Sequence, residues 1–336
     1  MKVNKNIEKI KPYKIELLPK NIKRMHANES DKPILPNKIL MKDVNENLNF
    51  YPENKAKKLI KEASIFYKIE EKNITTTNGS DEGLDLIIKT FCNPKDTILV
   101  LEPGFSMYEQ YAKVFGVKVE KIELQELQQS FIFDEKKIIE KAKKIKAKIV
   151  FIPNPLANIG EIIDRKKLIK IIENLPETII VIDEAYIDFT NEKSLLYELN
   201  NYRNLIVLRT FSKFFGLAGI RLGFIFSNFT DEILKIKSPY NVNILTCQIG
   251  INVFKNITES IVKQRQNEIL QKRNKLKKWL ENFKEVKKIF NSKTNFLLVK
   301  LSCKSEIFAK KLEKEFDIKI KAMSGKFKNY CRISVL

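Results

Sequence analysis

The sequence predicts an α/β fold: a large domain built on a mostly parallel, seven-stranded sheet, followed by a smaller α+β domain. Three observations carry this expectation. From about residue 73, short runs rich in Ile and Val alternate with amphipathic stretches, the pattern of strands buried on both faces and joined by crossover helices. After about residue 245 that alternation stops, and a long charged helix leads into a few separate strands. Finally, 43% of the 336 residues are hydrophobic, with only 10 Gly and 11 Pro, which excludes disordered and collagen-like chains. A chain of this length buries roughly 75% of its unfolded surface, usually in about two domains.

Taken in order, strands are expected at 74–77, 97–101, 117–124, 148–152, 178–182, 205–209 and 222–226. Between them lie helical faces such as Leu84, Ile87, Ile88 and Phe91. The later part reads as one helix over 247–284, a strand Phe296–Leu301, a helix near 305–315, and strands Ile318–Ala322 and 331–336. The expected division is an N-terminal arm at 1–35 joining the small domain, a large domain at 36–244 and a small domain at 245–336. No internal repeat or low-complexity linker interrupts it.

Composition narrows the function. The 62 Lys+Arg outnumber the 41 Asp+Glu, giving a net charge of +21, which fits a nucleic-acid binder, a membrane-surface protein or an enzyme for anionic small molecules. Only eight of these cations are Arg, and the Lys are scattered over helices. Phosphate-clamping and base-reading surfaces favour the planar Arg fork, so a solvated Lys-rich surface is the better reading, with no nucleic-acid partner. A single His, His26, excludes a multi-His metal site. Cys92, Cys247, Cys303 and Cys331 stand far apart without a C-x-x-C pair, as free thiols do in a reducing compartment. No apolar signal core opens the chain, and no apolar run approaches the ~20 residues of a membrane span. The expectation is a cytoplasmic protein with no membrane partner.

In an open α/β sheet, chemistry collects at the carboxyl edge of the strands, and three stretches fall there. Asn78-Gly79-Ser80-Asp81-Glu82-Gly83 stands between a strand and a helix. It reads either as a phosphate site at a helix N-terminus or as an ordinary capped helix with acids in its first turn. In Val181-Ile182-Asp183-Glu184-Ala185-Tyr186 an apolar strand delivers a carboxylate to the rim of a low-dielectric core. There it needs a cation or several donors, and a structural Asp–Tyr hydrogen bond is an equal reading. The third, Thr210-Phe211-Ser212-Lys213-Phe214-Phe215-Gly216, sets Lys213 among phenylalanines. Desolvation of its ammonium suits imine formation with an aldehyde, and Arg221 returns a fixed cation to the same edge.

These stretches, in this order, resemble the fold type I pyridoxal 5'-phosphate enzymes, and more closely the histidinol-phosphate aminotransferase family. Glu102-Pro103-Gly104-Phe105-Ser106-Met107-Tyr108 and Pro239-Tyr240-Asn241-Val242-Asn243 carry the same resemblance. It runs from Lys11-Pro12-Tyr13 to Cys331-Arg332-Ile333-Ser334-Val335. The resemblance implies that Lys213 bonds the cofactor and moves protons, that Asp183 pairs with the ring nitrogen, and that Tyr186 and Asn154 hold the ring's 3′-oxygen. It places Phe105 on the ring face, and Ser80, Asp81, Ser212 and Arg221 around the cofactor phosphate. Tyr51 matches a tyrosine reaching the neighbouring subunit's cofactor, which implies a homodimer. Arg332, Lys321 and Tyr13 match the residues that meet a small anionic, phosphorylated substrate, with glutamate as the other substrate. His26 reads as structural.

Two departures stand out. Where the family carries Asn-Pro-Asn-Asn-Pro-Thr-Gly, this chain has Asn154-Pro155-Leu156-Ala157-Asn158-Ile159-Gly160, which brings apolar residues into a loop expected near the substrate. Lys321 replaces an arginine, keeping the charge without the bidentate fork. Both keep open a related enzyme acting on another small phosphorylated substrate, an amino-acid-phosphate decarboxylase or a phospho-ketone aminotransferase. The sequence stops at Leu336, before the terminal helix that the resemblance implies, so a less stable small domain is expected.

Overall fold

The structure, a computed structural model, describes residues 3–8, 10–12, 18–44 and 48–336. The seven expected strands form one sheet, in the order Ile74–Asn78, Leu222–Ser227, Leu205–Thr210, Ile179–Asp183, Ile149–Pro153, Thr97–Glu102 and Lys118–Glu123. All neighbours run parallel except Leu222–Ser227, which is antiparallel to both of its partners. The central strands are buried along their whole length, as continuous Ile/Val runs require when helices cover both faces. One apolar cluster lies on each side of the sheet.

A second, five-stranded sheet has the order Lys23–Met25, Ile318–Ala322, Tyr330–Ser334, Phe296–Leu301 and Val286–Ile289. Its outermost strand, Lys23–Met25, comes from the N-terminal part of the chain and pairs parallel with Ile318–Ala322. Against this sheet pack helix Ser305–Phe316 and the end of Glu259–Leu280, through Leu280, Phe308 and Leu312.

The helix expected as one piece over 247–284 is two, Ile244–Asn256 and Glu259–Leu280. Ile257 and Thr258 are extended, and the Thr258 side chain caps the second helix by accepting from the Ile261 N–H. Capping satisfies an otherwise orphaned amide, which favours a break at a Thr. The first of the two packs on the large sheet through Ile249, Ile251, Val253 and Phe254. No helix of the described residues is long and apolar enough to cross a membrane.

Candidate active site

The register of the large sheet assembles the site. Leu222 pairs with Asn78 and Gly223 with Thr210, so the antiparallel strand begins where its neighbours end. Arg221, just before that strand, therefore lands beside the first turn of helix Gly79–Phe91. Its guanidinium donates to Ser212 Oγ at 3.3 Å and to Asp81 Oδ2 at 2.9 Å. Gly79 has φ +69°, and a Cβ there would lie 2.4 Å from Arg221 Nη2, so only glycine lets the cation sit on this turn. Ser80, Asp81, Ser212 and Arg221 thus surround one helix N-terminus, which is an anion-binding arrangement. Asn241 closes its far side, donating to Glu82 at 2.7 Å and to the Thr76 carbonyl at 3.2 Å.

At the end of strand Ile179–Asp183, Asp183 is buried. Oδ2 accepts from the Tyr108 hydroxyl at 2.7 Å and Oδ1 from the Ala185 N–H at 3.1 Å. Burial nevertheless pushes its carboxyl above the ordinary value, because both donors are neutral and no cation among the described residues is paired with it. Tyr108 pays the reciprocal penalty, its hydroxyl raised by burial and by the adjacent carboxyl. Behind this strand end Arg209 is fully enclosed, donating to Glu184 at 3.0 Å and pairing with Asp188.

Lys213 Nζ donates to the Ala27 carbonyl at 2.9 Å and lies 5.9 Å from the centre of the Tyr186 ring. No carboxylate among the described residues pairs with it. The Tyr186 hydroxyl accepts from Asn28 Nδ2 at 2.9 Å. Asn28 is wholly buried, and its remaining groups bind Ser334 and Asn295 of the smaller sheet side. It ties Tyr186 to the far side of the cleft.

Asn154 is buried, its Oδ1 accepting from the Ile163 N–H at 2.9 Å. Phe105, half-buried, meets Tyr108 edge-on at 5.6 Å. The apolar residues of the 154–160 loop do not line the cleft: Leu156, Ala157 and Ile159 are buried, Leu156 and Ile159 within the core of the large sheet. The loop instead presents Asn158, whose Oδ1 accepts from Arg332 Nη1 at 2.7 Å and whose Nδ2 donates to the Gly104 carbonyl at 2.6 Å. Arg332 Nη2 also donates to the His26 carbonyl at 2.8 Å, so His26 serves the site through its backbone. Its imidazole is pushed by burial below its ordinary value. Lys321 stands opposite Arg332 in the register of the smaller sheet, and burial and then Arg332 lower its pKa.

Tyr51 is 79% exposed and stacked on Tyr240 with ring centres 4.6 Å apart. Tyr13 lies outside the described residues. Sequence reasoning missed Asn28, Tyr108 and Asn158 as site residues. Tyr108 carried a usable signal, a phenol in a helix's first turn three residues after Phe105.

The donor set tests one cofactor directly. Pyridoxal 5'-phosphate needs an amine for its aldehyde, an acid for its ring nitrogen, donors for its 3′-oxygen and an anion cradle for its phosphate. Lys213, Asp183 (buried, with no cation paired to it among the described residues), Tyr186 with Asn154, and the Arg221 turn are of the chemical types that would meet each need. The same conclusion comes from comparison with known proteins. The aminotransferase class I and II family model matches residues 24–335. The histidinol-phosphate aminotransferase of Caldanaerobacter subterraneus is 35% identical over 93% of this chain and 88% of its own length. That of Clostridium novyi is 36% identical, over 98% and 92%. The crystal structure of the Clostridium acetobutylicum histidinol-phosphate aminotransferase superposes with a TM-score of 0.83 at 28% identity, covering 95% of this chain and 94% of that one. An edge built around Lys213, Asp183 and Arg221 on this fold, with relatives this close over nearly the whole length, makes the chain a member of the pyridoxal-phosphate-dependent class I and II aminotransferases.

Proposed function

We propose that the chain transfers an amino group between glutamate/2-oxoglutarate and histidinol phosphate/imidazole acetol phosphate, a step of histidine biosynthesis. The observation that carries this reading is the placing of Lys213. Among the described residues its amine touches a neutral carbonyl and a ring face, on the same sheet edge as the buried Asp183. When bound, pyridoxal 5'-phosphate supplies a carbonyl that captures amines and a conjugated ring that withdraws electrons from the substrate carbon.

The chain's own residues do the rest. With the cofactor bound, Lys213 would hold its aldehyde through Nζ and would serve as the base and acid that moves the proton at the substrate's α-carbon. Asp183, held by Tyr108, keeps a negative charge against the ring nitrogen. Tyr186 and Asn154 fix the 3′-oxygen, and Phe105 packs on the ring. Ser80, Ser212 and Arg221 bind the phosphate, with Asp81 orienting the Arg221 guanidinium. Arg332 and Lys321 receive the substrate's anionic end, and Tyr13 closes over it.

We also place Tyr51 in a neighbouring copy's site. In support, Tyr51, Phe50 and Leu48 are each more than 60% exposed, an unusual concentration of apolar surface. The relatives' shared name supports the phosphorylated substrate, and the burial of Leu156 and Ile159 removes the loop-based reason for choosing another.

Glutamate added to the cofactor-loaded protein should lower the cofactor's visible absorbance, and imidazole acetol phosphate should restore it while forming histidinol phosphate. An unchanged spectrum with glutamate, or carbon dioxide release from an amino-acid phosphate without transfer, would overturn the reading. Lys213→Ala should abolish the response, removing a proton-transfer contribution of roughly 10²–10⁴-fold as well as the covalent link.

A further inference from the structure

We propose that Asn28 is a positioning residue for Tyr186: it directs the phenol's proton at the 3′-oxygen of the cofactor ring. Asn28 acts through that hydroxyl. The inference rests on the functional reading above, in which Tyr186 holds the 3′-oxygen.

The segment that follows strand Lys23–Met25 meets the site one residue after another. The His26 carbonyl accepts from Arg332 at 2.8 Å, and the Ala27 carbonyl accepts from Lys213 at 2.9 Å. Asn28 reaches in with its side chain instead, donating from Nδ2 to the Tyr186 hydroxyl at 2.9 Å. Its backbone is left-handed, φ +54°, a conformation that Asn adopts more readily than branched or bulky residues.

Direction is the decisive point. A carboxamide has one accepting end and one donating end. Ser334 Oγ accepts from the Asn28 N–H at 2.9 Å, so its own proton goes to Asn28 Oδ1, at 3.0 Å. With Oδ1 taken, Nδ2 is the end that meets the phenol. Asn295 Nδ2 holds the Asn28 carbonyl at 3.1 Å, and Asn28, Ser334 and Asn295 are all wholly buried, so water does not compete for these groups. The Tyr186 oxygen therefore accepts from Asn28 and keeps one proton to give, for which no acceptor lies among the described residues. Aspartate at position 28 would reverse this, because a carboxylate accepts where the amide donates.

The ring itself is placed by packing. Tyr186 meets Phe296 edge-on with centres 5.2 Å apart, and Phe296 pairs with Ser334 in the register of the smaller sheet. Apolar contact thus fixes the ring, and the hydroxyl hydrogen, the remaining rotor, is left to Asn28. A hydrogen bond donated to an oxygen favours its charged form. A phenol aimed at the 3′-oxygen accordingly lowers the pH at which the bound cofactor gives up its proton.

The test reads that pH midpoint from the visible absorbance of protein loaded with pyridoxal 5'-phosphate. Tyr186→Phe removes the phenol and should raise the midpoint by roughly one unit, tenfold in proton affinity. Asn28→Asp keeps the bond to Ser334 but draws the phenol's proton to itself, and should raise the midpoint at least as far. Asn28→Ala leaves the phenol undirected and should raise it part of the way. Both shifts should shrink by half or more when Tyr186 is already Phe, since a residue acting through the phenol then has nothing to direct. A merely structural Asn28 gives shifts of the same size in both backgrounds. That result, or Asn28 variants at the wild-type midpoint beside a shifted Tyr186→Phe, would overturn the proposal. If Asn28→Ala does not fold, Asn28→Asp in the two backgrounds decides by the same criterion. Tyr186→Phe at the wild-type midpoint refutes the placing of Tyr186 on the ring oxygen and the proposal with it. The expected pattern in a protein that does not turn over histidinol phosphate upholds the role of Asn28 and refutes the choice of substrate.

Discussion

Asp183 shows how one residue's burial is linked to occupancy of the site. Its carboxyl is raised above the ordinary 3.8 by burial, against the Tyr108 and Ala185 hydrogen bonds that favour the charged form. With a raised folded pKa, the cofactor-free chain gains stability from the protonated acid. That gain is complete below the unfolded value and disappears as pH rises through the folded one. A cationic ring nitrogen beside the carboxylate reverses the preference, since an opposite charge within about 4–6 Å favours ionisation. The rise in thermal midpoint given by pyridoxal 5'-phosphate should therefore be larger at pH 8 than at pH 5. Asp183→Asn keeps the Tyr108 contact and removes the charge. It should flatten that pH dependence and lower kcat by roughly 10²–10³-fold, the scale of a lost preorganised electrostatic partner. An Asn variant with unchanged pH dependence would show that another group titrates.

Among the elements, the hairpin Gln125–Leu127 and Ser130–Ile132 is fastened to the smaller sheet through one carboxylate. Glu126 accepts from Lys300 at 2.9 Å and from Lys288 and Tyr330, all on the smaller sheet. Burial pushes its carboxyl up, but these three donors outweigh that and hold it at about 2. A depressed carboxyl contributes stability that is full above the unfolded value and is lost as pH falls through about 2. Glu126→Gln should thus destabilise by roughly 1–3 kcal/mol at pH 7 and by progressively less below pH 4, as read from denaturant midpoints. A pH-independent difference would show that the carboxylate charge is not what the latch uses. This hairpin, like strand Lys23–Met25, was not legible in the sequence. Edge strands so short, written Lys-Arg-Met or Gln-Glu-Leu, carry no apolar alternation, whereas Ile149–Pro153 and Leu205–Thr210 are buried on both faces and declare themselves. The site divides in the same way. Lys213, Asp183 and Arg221 announce themselves through their strand ends. Asn28 and Asn158 act on partners 306 and 174 residues away in the chain, and one sequence holds no trace of such pairings.

At the scale of the whole molecule, the excess of 21 positive charges resolves into a Lys-rich surface and a few cations with work to do, and the open question is whether one chain is enough. Tyr51 and Tyr240 stack on each other at the surface, 79% and 45% exposed. In the two-fold dimer proposed above, a contact from Tyr51 to the other copy's site would be made twice, once by each copy. Complementation separates this arrangement from a self-sufficient protomer. Lys213→Ala is inactive because it lacks the amine, and Tyr51→Ala is impaired, by roughly tenfold if the phenol donates to a charged phosphate. When the two are unfolded and refolded together, half of the dimers are mixed. In each mixed dimer one site combines an intact Lys213 with an intact Tyr51 from the other copy. Activity should rise toward about a quarter of wild type, with a response to dilution that tracks dimer dissociation. If Tyr51 served its own chain, no mixed dimer would hold a complete site, and the mixture would show only the average of its two parents.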